Sequence, residues 1–152
     1  MIEITLIKEN EYIECEKILR NLPEWFGIES SIVDYVSDIK NMKSYVGKLN
    51  NEIIGFITLN FHNKYTAEIQ VMAVKKEYHG RNIGSKLVNY VEEILKHEGF
   101  EYLEVKTLSD NHPDKNYEKT RGFYFSKGFR PIEEMKKLWG ESSPCLVMIK
   151  KL

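Results

Sequence analysis

The sequence predicts an α/β protein (α+β in its arrangement) whose central sheet is mixed, mostly antiparallel and flanked by helices. Two observations indicate this class, and a third predicts the number of domains. Runs in which apolar and polar residues alternate, as in strands, are interspersed with runs of helical periodicity. A strand–loop–helix–strand segment at residues 67–108 predicts two parallel strands, whereas the rest of the sheet is expected to be mostly antiparallel. No linker, repeat or low-complexity tract interrupts the chain, so we expect a single domain over residues 1–152.

The first elements are a strand and two amphipathic helices. Residues 2–6 alternate between apolar and polar side chains, which indicates a strand. Each helix has an apolar face at positions i, i+3, i+4 and i+7. These faces consist of Cys15, Ile18, Leu19 and Leu22 in the first helix and of Ile32, Tyr35, Val36 and Ile39 in the second. We expect Pro23 to stop the first helix, and Ser31 with Asp34 to help cap the start of the second.

A hairpin and six further elements complete the chain. Residues 45–49 and 53–61 are rich in β-forming side chains, and Asn50-Asn51 between them tolerates the left-handed angles of a tight turn. The remaining elements are a strand at 67–74, a helix from Gly84 that ends before Gly99, a strand at 102–108, a helix at about 117–127 that ends at Gly128, and strands at 129–133 and 145–150. The predicted order is therefore β-α-α-β-β-β-α-β-α-β-β.

Composition narrows the classes of function. Lys and Arg number 22 and Asp and Glu number 23, a net charge of −1, whereas a nucleic-acid binder needs a basic surplus. No apolar run is long enough to span a membrane and no signal-peptide pattern is present, so we expect no membrane partner and a cytoplasmic location. Cys15 and Cys145 are isolated, which predicts reduced thiols and no metal site. Cys145 lies in an apolar run and is predicted to be a core residue rather than a nucleophile.

The segment that says most about function is residues 74–87, where a strand leads through a loop directly into a helix. Gly80 and Gly84 let the main chain approach a ligand closely. The first turn of a helix offers unpaired N–H groups and about half a unit of positive charge, and Arg81 adds a mobile cation. The segment therefore predicts a phosphate or pyrophosphate site. Its spacing differs from a P-loop and from a dinucleotide fingerprint, and the alternative is a tight turn that binds nothing.

This segment resembles motif A of the GNAT acetyltransferases, whose loop reads [QR]-x-x-G-x-[GA]. The corresponding residues are His79, Gly80, Arg81, Asn82, Ile83 and Gly84. His79 replaces Gln or Arg, and Asn82 replaces the middle glycine, a mild change because asparagine tolerates left-handed angles. A second segment, FYFSKGF at residues 123–129, is similar to the family's F-Y-x-x-x-G-F helix end. With the order of elements, the two motifs identify the chain as a member of the GNAT family.

The resemblance implies acetyl-CoA as co-substrate and a set of residues that hold it. These are Met72, Ala73, Val74, His79, Gly80, Arg81, Asn82, Ile83, Gly84, Ser85, Asn116, Tyr117 and Thr120. In the family the loop amides hold the pyrophosphate, the strand that contains Met72 pairs with the pantetheine amides, and an N–H near Met72 meets the oxyanion. Tyr117 stands where the family's pantetheine-binding asparagine is common, and Asn116 is one position away.

Acetyl transfer to an amine needs a base, because an aliphatic amine is mostly protonated near neutral pH. We predict Glu68 for this role, since the family often places a carboxylate in the strand that precedes the loop. Alternation puts Glu68 on the same strand face as Met72 and Val74. The alternatives are that Glu68 is a solvated surface residue, or that the base is a water chain ending on another carboxylate.

Tyr124 occupies the position of the family's general-acid tyrosine, which gives a proton to the departing thiolate. The alternative is an aromatic residue that only packs beside its neighbours Phe123 and Phe125. His79 is expected to donate a hydrogen bond within the loop rather than act as a base. The other histidines, His62, His97 and His112, have no recognisable partner and are expected on the solvated surface.

The resemblance also indicates where the acceptor binds, namely between the first two helices and at the final hairpin. The candidate residues there are Glu24, Trp25, Phe26, Glu29 and Trp139. Aromatic rings with carboxylates suit a small cationic amine, and a peptide N-terminus or lysine is the alternative acceptor. The rings are equally compatible with a role in covering the sheet. Two other classes stay open, a non-catalytic acyl-CoA-binding module and an interaction domain, and we expect a monomer or a homodimer.

Overall fold

The computed structural model describes residues 1–152, and its helices and strands follow the predicted order. The strands are β1 (Glu3–Leu6), β2 (Lys43–Leu49), β3 (Glu52–Phe61), β4 (Thr66–Val74), β5 (Tyr102–Leu108), β6 (Arg130–Met135) and β7 (Cys145–Lys151). The helices are α1 (Tyr12–Arg20), α2 (Glu29–Asn41), α3 (Ile83–His97) and α4 (Lys115–Ser126). The seven strands form one sheet in the order β1-β2-β3-β4-β5-β7-β6. The predicted α/β class is therefore confirmed.

The chain divides into two compact units. One contains Met1–Asn60 and Ile69–Ile94, and the other contains Phe61–Glu68 and Leu95–Leu152. Strand β4 begins in the second unit and continues in the first. That residues 1–152 form a single domain remains a prediction. None of the helices has the length and apolar content that a membrane span requires.

In the first unit, β1, β2 and β3 are joined by antiparallel pairing. The turn between β2 and β3 consists of Asn50 and Asn51, whose φ angles are 51° and 67°. Both lie in the left-handed region that the two-residue turns of hairpins require. The hairpin predicted from these two asparagines is confirmed.

Helices α1 and α2 bury the faces that their periodicity predicts. Cys15, Ile18 and Leu19 of α1 are buried, as is Leu22 just after the helix ends, and so are Ile32 and Ile39 of α2. The predicted cap of α2 is wrong: the helix starts at Glu29, which places Ser31 and Asp34 inside it, and no side chain caps its start. Instead, Glu29 makes two hydrogen bonds with the guanidinium of Arg20, at 2.7 and 3.0 Å.

Helix α3 lies close to β2 and β3 because two strand positions are glycines. A Cβ on Gly47 would come within 2.7 Å of Ile2 and 3.5 Å of Leu87, and one on Gly55 would come within 3.3 Å of Leu87. Leu87 is fully buried on the helix face that meets these strands. This close approach fixes the start of α3, and with it the loop that precedes the helix.

The second unit is built on β5, β7 and β6, which pair antiparallel in that order. Helix α4 begins two residues earlier than predicted, because Asp114 caps it. The Asp114 carboxylate accepts hydrogen bonds from the main-chain N–H groups of Asn116 and Tyr117, at 2.8 and 3.2 Å. Such a cap stabilises a helix by about 1 kcal/mol. It is not among the features predicted from the sequence.

Candidate functional site

The loop between β4 and α3 has the backbone that an anion site requires. Gly80 and Asn82 have φ angles of 77° and 63°, and α3 begins at the next residue, Ile83. Asn82 thus adopts a left-handed angle at the position where the motif has its middle glycine, as asparagine is expected to tolerate. A Cβ on Gly80 would meet nothing within 4 Å, so the space beside the loop is open. Left-handed residues just before a helix turn successive N–H groups toward one point, and these residues therefore fit a pyrophosphate.

His79 acts within this loop as a donor, as predicted. Its Nε2 lies 2.8 Å from the carbonyl oxygen of Val74, which can only accept, so Nε2 carries the hydrogen. The edge of the Trp25 ring meets the imidazole at 5.6 Å between centroids. His79 thereby links the loop to the end of β4 and to the segment between α1 and α2.

A second contact joins the same two segments. The Glu24 carboxylate accepts a hydrogen bond of 2.6 Å from Lys76, which lies between β4 and the loop. This hydrogen bond is the main reason why the pKa of Glu24 is lowered. Two of the predicted acceptor residues, Glu24 and Trp25, therefore contact the segment from Lys76 to His79, which leads from β4 into the loop.

The other predicted acceptor residues are dispersed. Phe26 is half-buried and its ring contacts Tyr35 at 5.7 Å, which favours a role in covering the core. Glu29 is exposed, and its hydrogen bonds with Arg20 lower its pKa. Trp139 is exposed in the segment between β6 and β7.

Glu68 is the best-defined candidate for the base. The apolar residues of β4, namely Ala67, Ile69, Val71 and Ala73, are buried on one strand face, which leaves Glu68 on the other face with Gln70, Met72 and Val74. Glu68 is nevertheless only 5% exposed. The alternative of a solvated glutamate is therefore wrong, and the side chain must be held by neighbouring polar groups.

Three side chains surround this carboxylate. Nε2 of His62 lies 2.6 Å from Glu68 Oε1, and Nζ of Lys106 lies 2.9 Å from Oε2. The same ammonium donates to Glu104 at 2.8 Å, and Glu104 Oε1 is 3.7 Å from His62 Nε2. We refer to His62, Glu68, Glu104 and Lys106 as the Glu68 cluster. His62 is exposed, as expected, but the expectation that it has no partner is wrong, because the turn between β3 and β4 folds its imidazole back onto Glu68.

The Glu68 cluster already contains a cation. Burial lowers the pKa of Lys106, but the hydrogen bonds that its ammonium donates to Glu104 and Glu68 outweigh this effect and raise the pKa above its ordinary value. Ligand atoms of His62, Glu68 and Glu104 lie within 4.8 Å of one another, a spacing seen in metal sites. Since the Lys106 ammonium is hydrogen-bonded to both carboxylates, we assign no metal ligands here.

Tyr124 is placed on α4 as the motif predicts. It is 6% exposed, and its ring meets those of Phe123 and Phe129 edge-on, at 5.3 and 5.4 Å. Tyr124 thus packs against Phe123 and Phe129, whereas Phe125, which the alternative also named, is exposed. One turn earlier, the Thr120 hydroxyl donates to the carbonyl oxygen of its own helix at residue 116, at 3.1 Å.

Both cysteines are buried, free thiols. Burial raises the pKa of Cys145 to about 11 and that of Cys15 to about 12, so neither forms a thiolate near neutral pH. The prediction that Cys145 is a core residue is confirmed.

Comparison with known proteins decides the family. A model described as the Acetyltransferase (GNAT) family matches residues 12–123. The chain belongs to the GNAT acetyltransferase family. An uncharacterised N-acetyltransferase of Chlorobaculum tepidum is 26% identical over 118 residues; the match covers 76% of this chain and 66%, just under two thirds, of that relative.

Solved structures share the GNAT fold over nearly the whole chain. A GNAT-family protein described as a putative acetyltransferase from Desulfovibrio desulfuricans has a TM-score of 0.87 at 11% identity, covering 99% of both chains. A GNAT-family acetyltransferase from Elizabethkingia anophelis, solved with acetyl-CoA bound, has a TM-score of 0.75 at 21% identity, covering 99% of this chain and 98% of that one. The resemblance and the fold are thus confirmed, and acetyl-CoA-dependent acyl transfer is the activity of the family.

Proposed function

We propose that this chain transfers the acetyl group of acetyl-CoA to a primary amine by direct attack, and that the acceptor is a small cationic amine. The observation that carries the proposal is Glu68, a buried carboxylate on the strand that leads into an anion-binding loop. A carboxylate is a group that can free an amine from its proton, as the reaction needs, and this chemistry supports the choice of Glu68. The acetyl-CoA bound in the Elizabethkingia relative supports the choice of donor.

The loop supplies binding rather than chemistry. Main-chain N–H groups of residues 80–85 would hold the pyrophosphate, supported by the positive end of α3 and by the exposed Arg81. The main-chain groups of Met72, Ala73 and Val74 would pair with the pantetheine amides. Bound acetyl-CoA supplies an activated thioester.

Glu68 and Tyr124 would move the protons. Glu68 takes one proton from the ammonium of the acceptor, and the freed nitrogen forms the C–N bond as the C–S bond breaks. An N–H near Met72 would stabilise the charge that develops on the carbonyl oxygen. Tyr124 gives its phenolic proton to the thiolate and recovers a proton from the acylated nitrogen, and the proton held by Glu68 is released to solvent, so each turnover releases one proton.

The choice of acceptor is supported by the segment between α1 and α2. Glu24 has a lowered pKa and is therefore ionised at neutral pH, and it adjoins Trp25 in the chain. A carboxylate next to an aromatic ring suits a cation, by charge pairing and by cation–π attraction. An acceptor ammonium would compete with Lys76 for this carboxylate.

A panel of acceptors tests the proposal. The purified chain is incubated with acetyl-CoA and either small mono- and polyamines or peptides with a free N-terminus or a lysine. Thiol release and the mass of the product are measured. We expect release with small cationic amines and one added acetyl group on the amine. Turnover with peptides alone would show that the acceptor is a peptide N-terminus or a lysine instead of a small amine. Coenzyme binding without turnover on any acceptor would indicate a non-catalytic acyl-CoA-binding module.

A further inference from the structure

One direct partner of the buried Glu68 carboxylate, the His62 imidazole, lies at the protein surface. The Glu68 side chain is 6% exposed, whereas that of His62, 2.6 Å away, is 36% exposed. The other direct partner, Lys106, has a raised pKa and stays an ammonium across the working range. Histidine is the side chain whose charge changes between about pH 5 and 8.

The charges that face this pair come from three strands. Glu68 lies on β4, Glu104 and Lys106 lie on β5, and the thiol of Cys145 on β7 is neutral because burial raises its pKa to about 11. With a neutral imidazole, the Glu68 cluster carries two negative charges and one positive charge. With an imidazolium it carries no net charge. Protonation of His62 would thus add a positive charge beside Glu68, which favours the ionised form of the carboxylate.

We propose that His62 is the positioning residue for Glu68: its neutral imidazole holds the carboxylate through the Nε2–H to Oε1 hydrogen bond, and its protonation weakens Glu68 as a base. This inference rests on the proposed function, in which Glu68 deprotonates the acceptor. Lys106 holds Oε2, so the two partners fix both oxygens of the carboxylate. Of these partners, only the imidazole couples the base to pH.

Two substitutions separate holding from titration. His62→Gln keeps an N–H donor but cannot titrate, whereas His62→Ala removes both properties. We expect His62→Gln to lower kcat about 3-fold at pH 8 and to raise the ratio of kcat at pH 6 to kcat at pH 8 several-fold above that of the wild type. Ionisation of the amine affects all variants equally and cancels in this comparison. His97→Gln, at an exposed position at the end of α3, is the matched control and should behave as wild type.

His62→Ala should lose about 10-fold in kcat at pH 8, because a hydrogen bond to a charged group is lost, and less at pH 6, where protonation of His62 already weakens the wild type. Imidazole added to the solution should restore part of this loss, since the vacated position is open to water. The inference is overturned if His62→Gln keeps the wild-type pH profile, or if His62→Ala keeps the wild-type kcat.

An NMR titration distinguishes failure of this inference from failure of the proposed function. The His62 imidazole, assigned by its loss in His62→Gln, is titrated in the wild-type protein and in Glu68→Gln. Coupling predicts a titration midpoint that moves to lower pH when the carboxylate is removed. If the titration midpoint of His62 is the same in both proteins, the proposed coupling of His62 to Glu68 is overturned, even when the enzyme is active. A moved midpoint in a protein whose turnover survives Glu68→Gln would leave the pair intact and remove Glu68 as the base.

Discussion

The loop between β4 and α3 and the Glu68 cluster obtain their conformations in different ways. The loop takes its shape from the backbone preferences of neighbouring residues: Gly80 and Asn82 are left-handed, and a Cβ on Gly80 would meet nothing. The Glu68 cluster takes its shape from four side chains that come from β4, from β5 and from the turn between β3 and β4. The difference teaches that the shape of the proposed binding loop is local in sequence, whereas the environment of the proposed base depends on tertiary structure. The two parts should therefore respond separately to substitution.

The largest effect is expected for Glu68→Gln. It removes the base but keeps side-chain size, so kcat near neutral pH should fall about 10²- to 10⁴-fold. Turnover should recover partly at higher pH, where more acceptor is unprotonated. Acetyl-CoA affinity, measured by calorimetry, should change little because the loop is unaltered. Wild-type kcat with a wild-type pH profile would contradict the assignment, and Glu24 and Glu29 would be tested next.

Tyr124→Phe should lower kcat about 10- to 1000-fold, the range usual for loss of a general acid. The ring keeps its contacts with Phe123 and Phe129, so the melting temperature should stay close to that of the wild type. Steady-state kinetics together with a thermal melt measures both quantities. Unchanged turnover would mean that water or another donor protonates the thiolate.

Gly84→Asp tests the loop. It places bulk and negative charge where the pyrophosphate would lie, and we expect acetyl-CoA to bind at least about 10-fold more weakly, since this site acts mainly by charge. An acidic residue is itself favourable in the first turn of a helix, so α3 should persist. Gly84→Ala is the matched control and should keep more of the affinity. Equal coenzyme affinity in the wild type and in Gly84→Asp would remove the loop from the coenzyme site.

The smallest effect concerns the backbone of the loop. Asn82→Val puts a β-branched residue at a φ of 63° and should lower the free energy of unfolding by about 1–2 kcal/mol. Asn82→Gly should be neutral or slightly stabilising, because glycine adopts this angle without strain. Chemical denaturation of both variants measures the difference. Equal stabilities would show that the left-handed angle at this position is not required.

The same contrast explains how much of the molecule the sequence predicts. The hairpin at Asn50-Asn51, the left-handed Asn82 and the buried face of α1 follow from local preferences and periodicity, and all three were predictable. The α2 cap was wrong because the helix begins at Glu29, earlier than the apolar face requires.

The Glu68 cluster was missed because its members are distant in sequence. Glu68 and Lys106 are 38 residues apart, and their meeting depends on the strand order of the sheet. One indication was present in the sequence: alternation in β5 puts Glu104 and Lys106 on the same strand face. No pattern indicated which face of β4 they would meet.

The most direct test of the account is a thermal melt with and without acetyl-CoA, followed by thiol release on addition of a small cationic amine. A ligand that binds only the folded chain raises its stability, by about 2.7 kcal/mol at a concentration 100 times Kd. We predict a higher melting temperature with millimolar acetyl-CoA and amine-dependent release of coenzyme A. An unchanged melting temperature at saturating acetyl-CoA, together with no thiol release, would contradict the account.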